Sequence, residues 1–293
     1  MSAASEEARS LGEPSNLARA WRRFLRNPAA VIGALIVISV FVAAILAPSL
    51  APYPGHAGSF VDFRSRHLPP SVLHIMGTDN VGRDIFSRVL FGYRVSLELV
   101  VGVLGVAVPL GILFGLLAGY FAGIIETVVM GFTNVMLAMP PLVMALAITA
   151  VLTPDLINSM IAITCLWWTW HCRLVYRVTK SVAAEDFVEA ARLAGASHAH
   201  VLFRELLPNC TAAISVKTTL DAGFVILFGA SLSFLGLGVQ PPTPDLGTMV
   251  AAGAQFLPEM WWEAVMPGLA ILYAILGFNL LGDGLRDMMD VEI

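Results

Sequence analysis

Apolar runs recur along the chain at lengths that a bilayer sets. A helix needs about 20 predominantly apolar residues to cross the hydrocarbon core. Six segments meet or approach that length, at residues 29–49, 95–121, 127–152, 157–176, 213–235 and 264–282. The second and third runs are long and interrupted by glycine and proline, which predicts tilt or a kink. Pro140 and Pro141 stand inside the third, where proline takes a donor out of the helical ladder. Between the fourth and fifth runs the pattern changes. Residues 189–209 read EAARLAGASHAHVLFRELLPN, a polar, helix-forming stretch with a glycine break and a proline. Gly195 is placed to end a first short helix through a left-handed conformation. Ser197 is placed to cap a second, with Val201, Leu202, Leu206 and Leu207 as its apolar stripe and Pro208 as its stop. Ala190 and Ala191 leave a helix face bare, open to a partner. An amphipathic hairpin lying on the membrane surface is the blander alternative.

Composition agrees with a membrane protein. The chain is 57% hydrophobic and 13% charged, against about 25% charged in an average soluble domain. The net charge of −4 and the absence of a basic patch give no sign of a nucleic-acid partner. Lys and Arg set the orientation. Arg9, Arg19, Arg22, Arg23 and Arg26 precede the first run, and Arg173, Arg177, Lys180, Arg192 and Arg204 surround the hairpin. With six spans, both regions and the C-terminus fall on the cytoplasmic side. The lysine- and arginine-free loop 236–262 falls outside, with Trp261 and Trp262 where an aromatic belt is expected. One loop disagrees: residues 50–94 are external by this count, yet hold Arg64, Arg66, Arg83, Arg88 and Arg94, partly offset by Asp62, Asp79 and Asp84. Five or seven spans therefore stay open.

The first apolar run is longer than the 7–15 residues of a secretory h-region, so it reads as a retained helix behind a polar, disordered tail over residues 1–20. The expected organisation is a cytoplasmic tail (1–28), a first transmembrane helix (29–49), an external loop (50–94), a transmembrane core (95–283) with a cytoplasmic loop (177–212), and a cytoplasmic tail (284–293).

Chemistry-bearing motifs are few. Cys165, Cys172 and Cys210 have no metal-ligand spacing. No HExxH and no GxxxxGK[ST] loop occurs, so ATP and Mg are expected on separate ATPase chains and no cofactor or metal on this one. Gly229 to Leu232 match a loose GxSx pattern, but no histidine follows His200. His198 and His200 are expected to be solvated or helix-facing, and His171 beside Cys172 makes a poor site. Gly111, Gly115, Gly119 and Gly123 recur every four residues, a spacing that lets helices pack closely in lipid, within this chain or across a dimer. Lys217 with Asp221, and Arg94 with Glu98, stand four apart as candidate ion pairs. A structural role is favoured over a substrate contact for both. No relay of Asp, Glu and His through the spans is evident, which disfavours an ion-coupled secondary transporter. A membrane scaffold or exporter component is the other class left open.

The pattern Glu189-Ala190-Ala191, three residues, Gly195, then Leu207-Pro208 resembles the coupling motif of ABC importer permeases. Three further blocks resemble the C-type permease subunits of dipeptide, oligopeptide and nickel importers: GTDNVGRDIFSRVLFGYRVSL (77–97), LSFLGLGVQPPTPDLG (232–247) and GFNLLGDGLRDMMD (277–290). Glu205, Leu246 and Val291 depart from the family pattern. The resemblance implies an all-α type I importer (MetI-like) permease of six helices. It also implies a B-type permease partner, two cytoplasmic ATPases, an extracytoplasmic substrate-binding protein, and Glu189, Ala190, Ala191, Gly195, Ala196, Ser197, Glu205, Leu207 and Pro208 as the ATPase dock. Di- or oligopeptides are the expected cargo, with nickel chelates or glutathione as alternatives. The charges of residues 79–88 are read equally as a contact for a partner and as a loop-stabilising network.

Overall fold

The computed structural model describes residues 16–289. Residues 1–15 and 290–293, which include most of the expected N-terminal tail and the Val291 departure, lie outside the described residues. Helix α1 (Asn16–Arg26) leads into α2 (Pro28–Ile45). The Asn27 side chain accepts from the Ala29 and Ala30 N–H groups at 3.0 and 3.3 Å, and Pro28 occupies the first turn, where a missing donor costs nothing. A short turn, α3 (Ala47–Leu50), ends this arm. After a loop come α4 (Ile85–Tyr120), α5 (Ile124–Ala138), α6 (Pro141–Val151) and α7 (Leu156–Val182). Then follow α8 (Asp186–Leu193), α9 (His198–Phe234), α10 (Leu246–Ala254) and α11 (Trp262–Met289). Aspartates cap three starts: Asp84 accepts from Ser87 N–H, Asp155 from Asn158 N–H and Asp245 from Thr248 N–H, at 2.7, 2.6 and 2.9 Å.

Helices α2, α4, α9 and α11 are long and apolar enough to cross a membrane, and α5 with α6, bent by 90° at the break between them, passes the same test as a pair, as a broken span or a re-entrant loop. The break falls at Pro140-Pro141, the site where the ladder was expected to fail. Helix α7 has the length for a sixth span, about 40 Å at 1.5 Å per residue, but Asn158, Ser159, His171, Arg173, Arg177 and Lys180 dilute its apolar character.

Three boundaries differ from expectation. Residues 16–26 are helical, not part of an irregular tail. Helix α4 starts at Ile85 inside the expected external loop, because Asp84 caps it there. Residues 284–289 continue α11. Pro208 does not stop its helix either: a π turn over Val201–Leu206 absorbs it, and α9 runs on to Phe234.

The bundle is built on the α4–α7 seam. A methyl group added at Gly111 would lie 2.8 Å from the Trp168 carbonyl oxygen, at Gly115 2.7 Å from that of Cys172, and at Gly119 2.7 Å from Thr179 Cβ. The stripe therefore packs within the chain. Gly123 leaves it: it sits at φ +82° ahead of α5, with nothing within 4 Å. Close-packed glycines also join α2 to α11, where Gly284 meets Ala30 and Gly277 meets Ile36.

Overpacking a tight helix contact costs about 1–3 kcal/mol. Gly115→Leu is therefore expected to lower the melting temperature of the detergent-solubilised protein, whereas Gly131→Ala, in open space on α5, leaves it equal or higher. Equal melting of Gly115→Leu and the unsubstituted protein contradicts the seam.

Candidate functional site

The polar stretch folds as the expected hairpin. Helix α8 ends where Gly195, at φ +86°, donates to the Arg192 carbonyl at 3.0 Å and Ala196 donates to that of Ala191 at 3.0 Å. Nothing lies within 4 Å of the Gly195 Cβ position, so the elbow is open. Ser197 caps α9 by accepting from His200 N–H at 3.3 Å. Glu189, Ala190, Gly195, Ser197 and Pro208 are exposed; Ala191, Ala196, Glu205 and Leu207 are half-buried. Glu205 lies 3.5 Å from His200 Nε2.

What holds the hairpin is apolar. Val188, Val201, Leu202, Leu206 and Cys210 form one cluster with Leu116 of α4 and Val175 of α7. His198 is helix-facing: its Nδ1 lies 2.8 Å from the Tyr120 hydroxyl, and the Arg192 guanidinium stacks 4.6 Å from the Tyr120 ring centre. Three residues that the stripe argument missed are exposed on this otherwise polar hairpin: Leu193 at 84%, Phe203 at 55% and Phe187 at 44%. Their off-stripe positions are the signal that was available.

At the far end of α4, the loop 51–84 is tied to the helices by its own charges. Arg83 Nε binds Asp79 at 2.7 Å. Arg88, 3% exposed, donates to the His56 carbonyl at 3.0 Å and lies 3.9 Å from Asp79. His74 Nδ1 lies 2.9 Å from Asp84, and His67 Nδ1 2.5 Å from Glu263 of α11. These partners favour the loop-stabilising reading of residues 79–88. Trp262 is a correction: it is 8% exposed and donates to the Thr78 carbonyl at 3.4 Å, so only Trp261 is free to sit in an aromatic belt. Burial pushes the His56 imidazole below its ordinary value, and its Nδ1 accepts from the Asp84 backbone N–H at 2.9 Å. Burial also pushes the Asp245 carboxyl up, against the hydrogen bonds that cap α10.

Inside the bundle, Lys217 pairs with Asp221. His171, fully buried, brings Nε2 within 3.6 Å of the same carboxylate, a partner its place beside Cys172 did not reveal. Arg94 and Glu98 lie 3.4 Å apart and half-exposed. Among the described residues there is no cluster able to hold a metal.

The described residues form a bundle whose long helices are apolar enough to cross a membrane, with a polar hairpin at one end of it. Residues 111–292 match the model of the binding-protein-dependent transport system inner membrane component, and residues 15–70 that of the N-terminal TM domain of oligopeptide transport permease C. The chain is 41% identical to the di/tripeptide transport system permease protein DppC of Pseudomonas aeruginosa, over 97% of this chain and 95% of that one. It is 37% identical to the dipeptide transport system permease protein DppC of Alkalihalophilus pseudofirmus (94% and 89% covered). It is also 37% identical to the glutathione transport system permease protein GsiD of Pectobacterium atrosepticum (93% and 90%). The chain belongs to the binding-protein-dependent ABC importer permeases, in the branch of the dipeptide and oligopeptide C-type subunits.

The His56 geometry predicts a pH dependence. A group whose folded pKa lies below its unfolded value stabilises above the unfolded pKa, about 6.5 for histidine, and that stability is lost as pH falls through the folded pKa. Protonation also removes the acceptor for Asp84 N–H. The comparison is with His56→Gln, which leaves the rest of the loop unchanged. Limited proteolysis of loop 51–84 is expected to accelerate more between pH 7.5 and 5.5 in the unsubstituted protein than in the variant. Equal acceleration removes His56 from the account.

Proposed function

We propose that this chain forms half of the translocation pathway of an ATP-driven importer of di- and oligopeptides, and that the α8–α9 hairpin docks on a cytoplasmic ATPase. The observation that carries the dock is the open elbow flanked by Leu193, Phe187 and Phe203. Apolar side chains presented on a polar element outside the bundle suit burial against a soluble partner. The hairpin is cytoplasmic in this reading, with both termini on the same side, as the lysines and arginines around it favour.

The remaining partners are a B-type permease, two ATPases that hold the ATP and Mg, and an extracytoplasmic binding protein that delivers cargo. ATP binding closes the ATPases and moves both permease hairpins; the helices rock from inward- to outward-facing and reset after hydrolysis. In energetic terms, nucleotide biases a two-state element through differential contacts. Peptide cargo is supported by the relatives named for di- and tripeptides. Glutathione, itself a small peptide, is the second reading, favoured by the relative named for it.

Gly195→Trp fills the elbow and Leu193→Asp removes its apolar knob, and neither touches the bundle. Both are expected to insert in the membrane yet lose copurification of the ATPases and ATP-dependent uptake. Retained ATPase binding with retained uptake sinks the docking assignment.

A further inference from the structure

The Lys217–Asp221 pair lines a cavity of about 260 Å³ with Trp167, Trp170, Phe224 and Phe228. It lies deep in α9: Lys217 is about 15 Å along the helix from Leu207, and Asp221 about 20 Å from Phe234. An ionisable pair at such depth in a membrane helix marks a functional site by default. The pair is also incompletely satisfied. Asp221 is 1% exposed, and its Oδ2 accepts no hydrogen bond among the described residues. Trp167 is equally buried, and its indole N–H donates none. His171 Nε2 lies 3.6 Å from that Oδ2, so the carboxylate is held between a histidine and the ammonium group that borders the cavity. Lys217 retains some solvent access and lies 5.6 Å from the centre of the Trp170 ring.

We propose that this cavity is a transit subsite for one terminal residue of a short zwitterionic peptide. The Lys217 ammonium, which keeps solvent access, takes the peptide carboxylate. Asp221, held by His171, keeps that ammonium in place, and the aromatic rings enclose the side chain. Sites that enclose a drug-sized ligand run to about 300–1,000 Å³, so this one holds a terminal residue rather than a whole peptide. The cavity offers an accessible ammonium for a carboxylate and a π surface for the side chain beside it, which a purely structural ion pair does not need. The subsite rests on the peptide-import reading above.

The test uses the complete transporter in proteoliposomes: both permease subunits, the ATPases and the binding protein. Phe224 is replaced by photoreactive benzoylphenylalanine, and tritiated alanyl-phenylalanine is supplied during turnover. Irradiation is expected to label this chain in an ATP-dependent manner. Lys217→Gln is expected to reduce labelling about tenfold, the scale of one charge-assisted hydrogen bond, and Lys217→Arg to restore most of it. Phe228→Trp fills the cavity while keeping both charges, and lowers labelling even where the lysine variant fails to assemble. Import of the dipeptide without labelling at position 224 overturns the subsite and leaves the peptide reading standing. So does labelling that neither variant changes, as when the partner permease simply covers the cavity. Absence of dipeptide import by the unsubstituted complex overturns the peptide reading and this subsite with it.

Discussion

The fold depends on how closely α7 approaches α4. In hydrocarbon there is no hydrophobic gain from joining two helices, so association rests on packing and on polar groups that find partners. Gly111, Gly115 and Gly119 remove three side chains from the contact and bring Trp168, Cys172 and Thr179 against the α4 backbone. That seam fixes more than two helices. Helix α4 is 36 residues long, about 54 Å. Its Asp84 end holds the loop 51–84, and its Tyr120 end holds His198 and Arg192 of the hairpin. Helix α7 carries Trp167 and His171 to the Lys217–Asp221 cavity and then leads directly into α8. One tight contact therefore sets the distance between the loop, the cavity and the hairpin.

Polar groups inside the bundle follow the same constraint. Every backbone group in lipid must be satisfied by the protein, and side-chain hydroxyls find partners locally: Thr133 and Thr149 donate to the carbonyls four residues earlier. Arg173 reaches Asn134 and Lys180 reaches Glu126, with Tyr176 on the same carboxylate at 2.5 Å. These bonds tie α5 to α7 near the hairpin, where α5 otherwise exposes Ile124, Val128 and Phe132. The π turn before Pro208 belongs to the same logic. It lets α9 continue through a residue without a donor, so one unbroken helix runs from the hairpin into the bundle.

Much of this was legible in the sequence, for definite reasons. Apolar run length locates the spans because bilayer thickness sets it. Pro140-Pro141 announces the bend, and Gly195 with Ser197 announces the elbow, because each acts on its own few residues. Less local information was hidden. The start of α4 at Ile85 depends on Asp84 being enclosed by His56 and His74, and Glu263 meets a loop residue 196 positions away. Trp262 reads as an interfacial tryptophan until Thr78 supplies its acceptor. The Gly stripe was visible, but its last member was not separable by spacing: Gly123 shares the period and sits in a turn. His171 gained meaning only when α9 brought Asp221 beside it.

The continuity of α9 bears on how a push at the hairpin would reach the pathway. In the proposed role, an ATPase moves the Gly195 elbow. Helix α9 is continuous from that elbow to Lys217, so displacement at one end has a helical path to the other. Helix α11 feels the same motion, since Gly282 lies against Leu220 and Gly223 has the Ile275 carbonyl 3.4 Å from its Cβ position. Helix α2 is then carried with α11 through Gly277 and Gly284. Glycine contacts of this kind leave little room for one helix to slide independently, because interiors this close-packed are stiff. A rigid lever of α9, α11 and α2 against the α4–α7 seam is the simplest two-state element these contacts define.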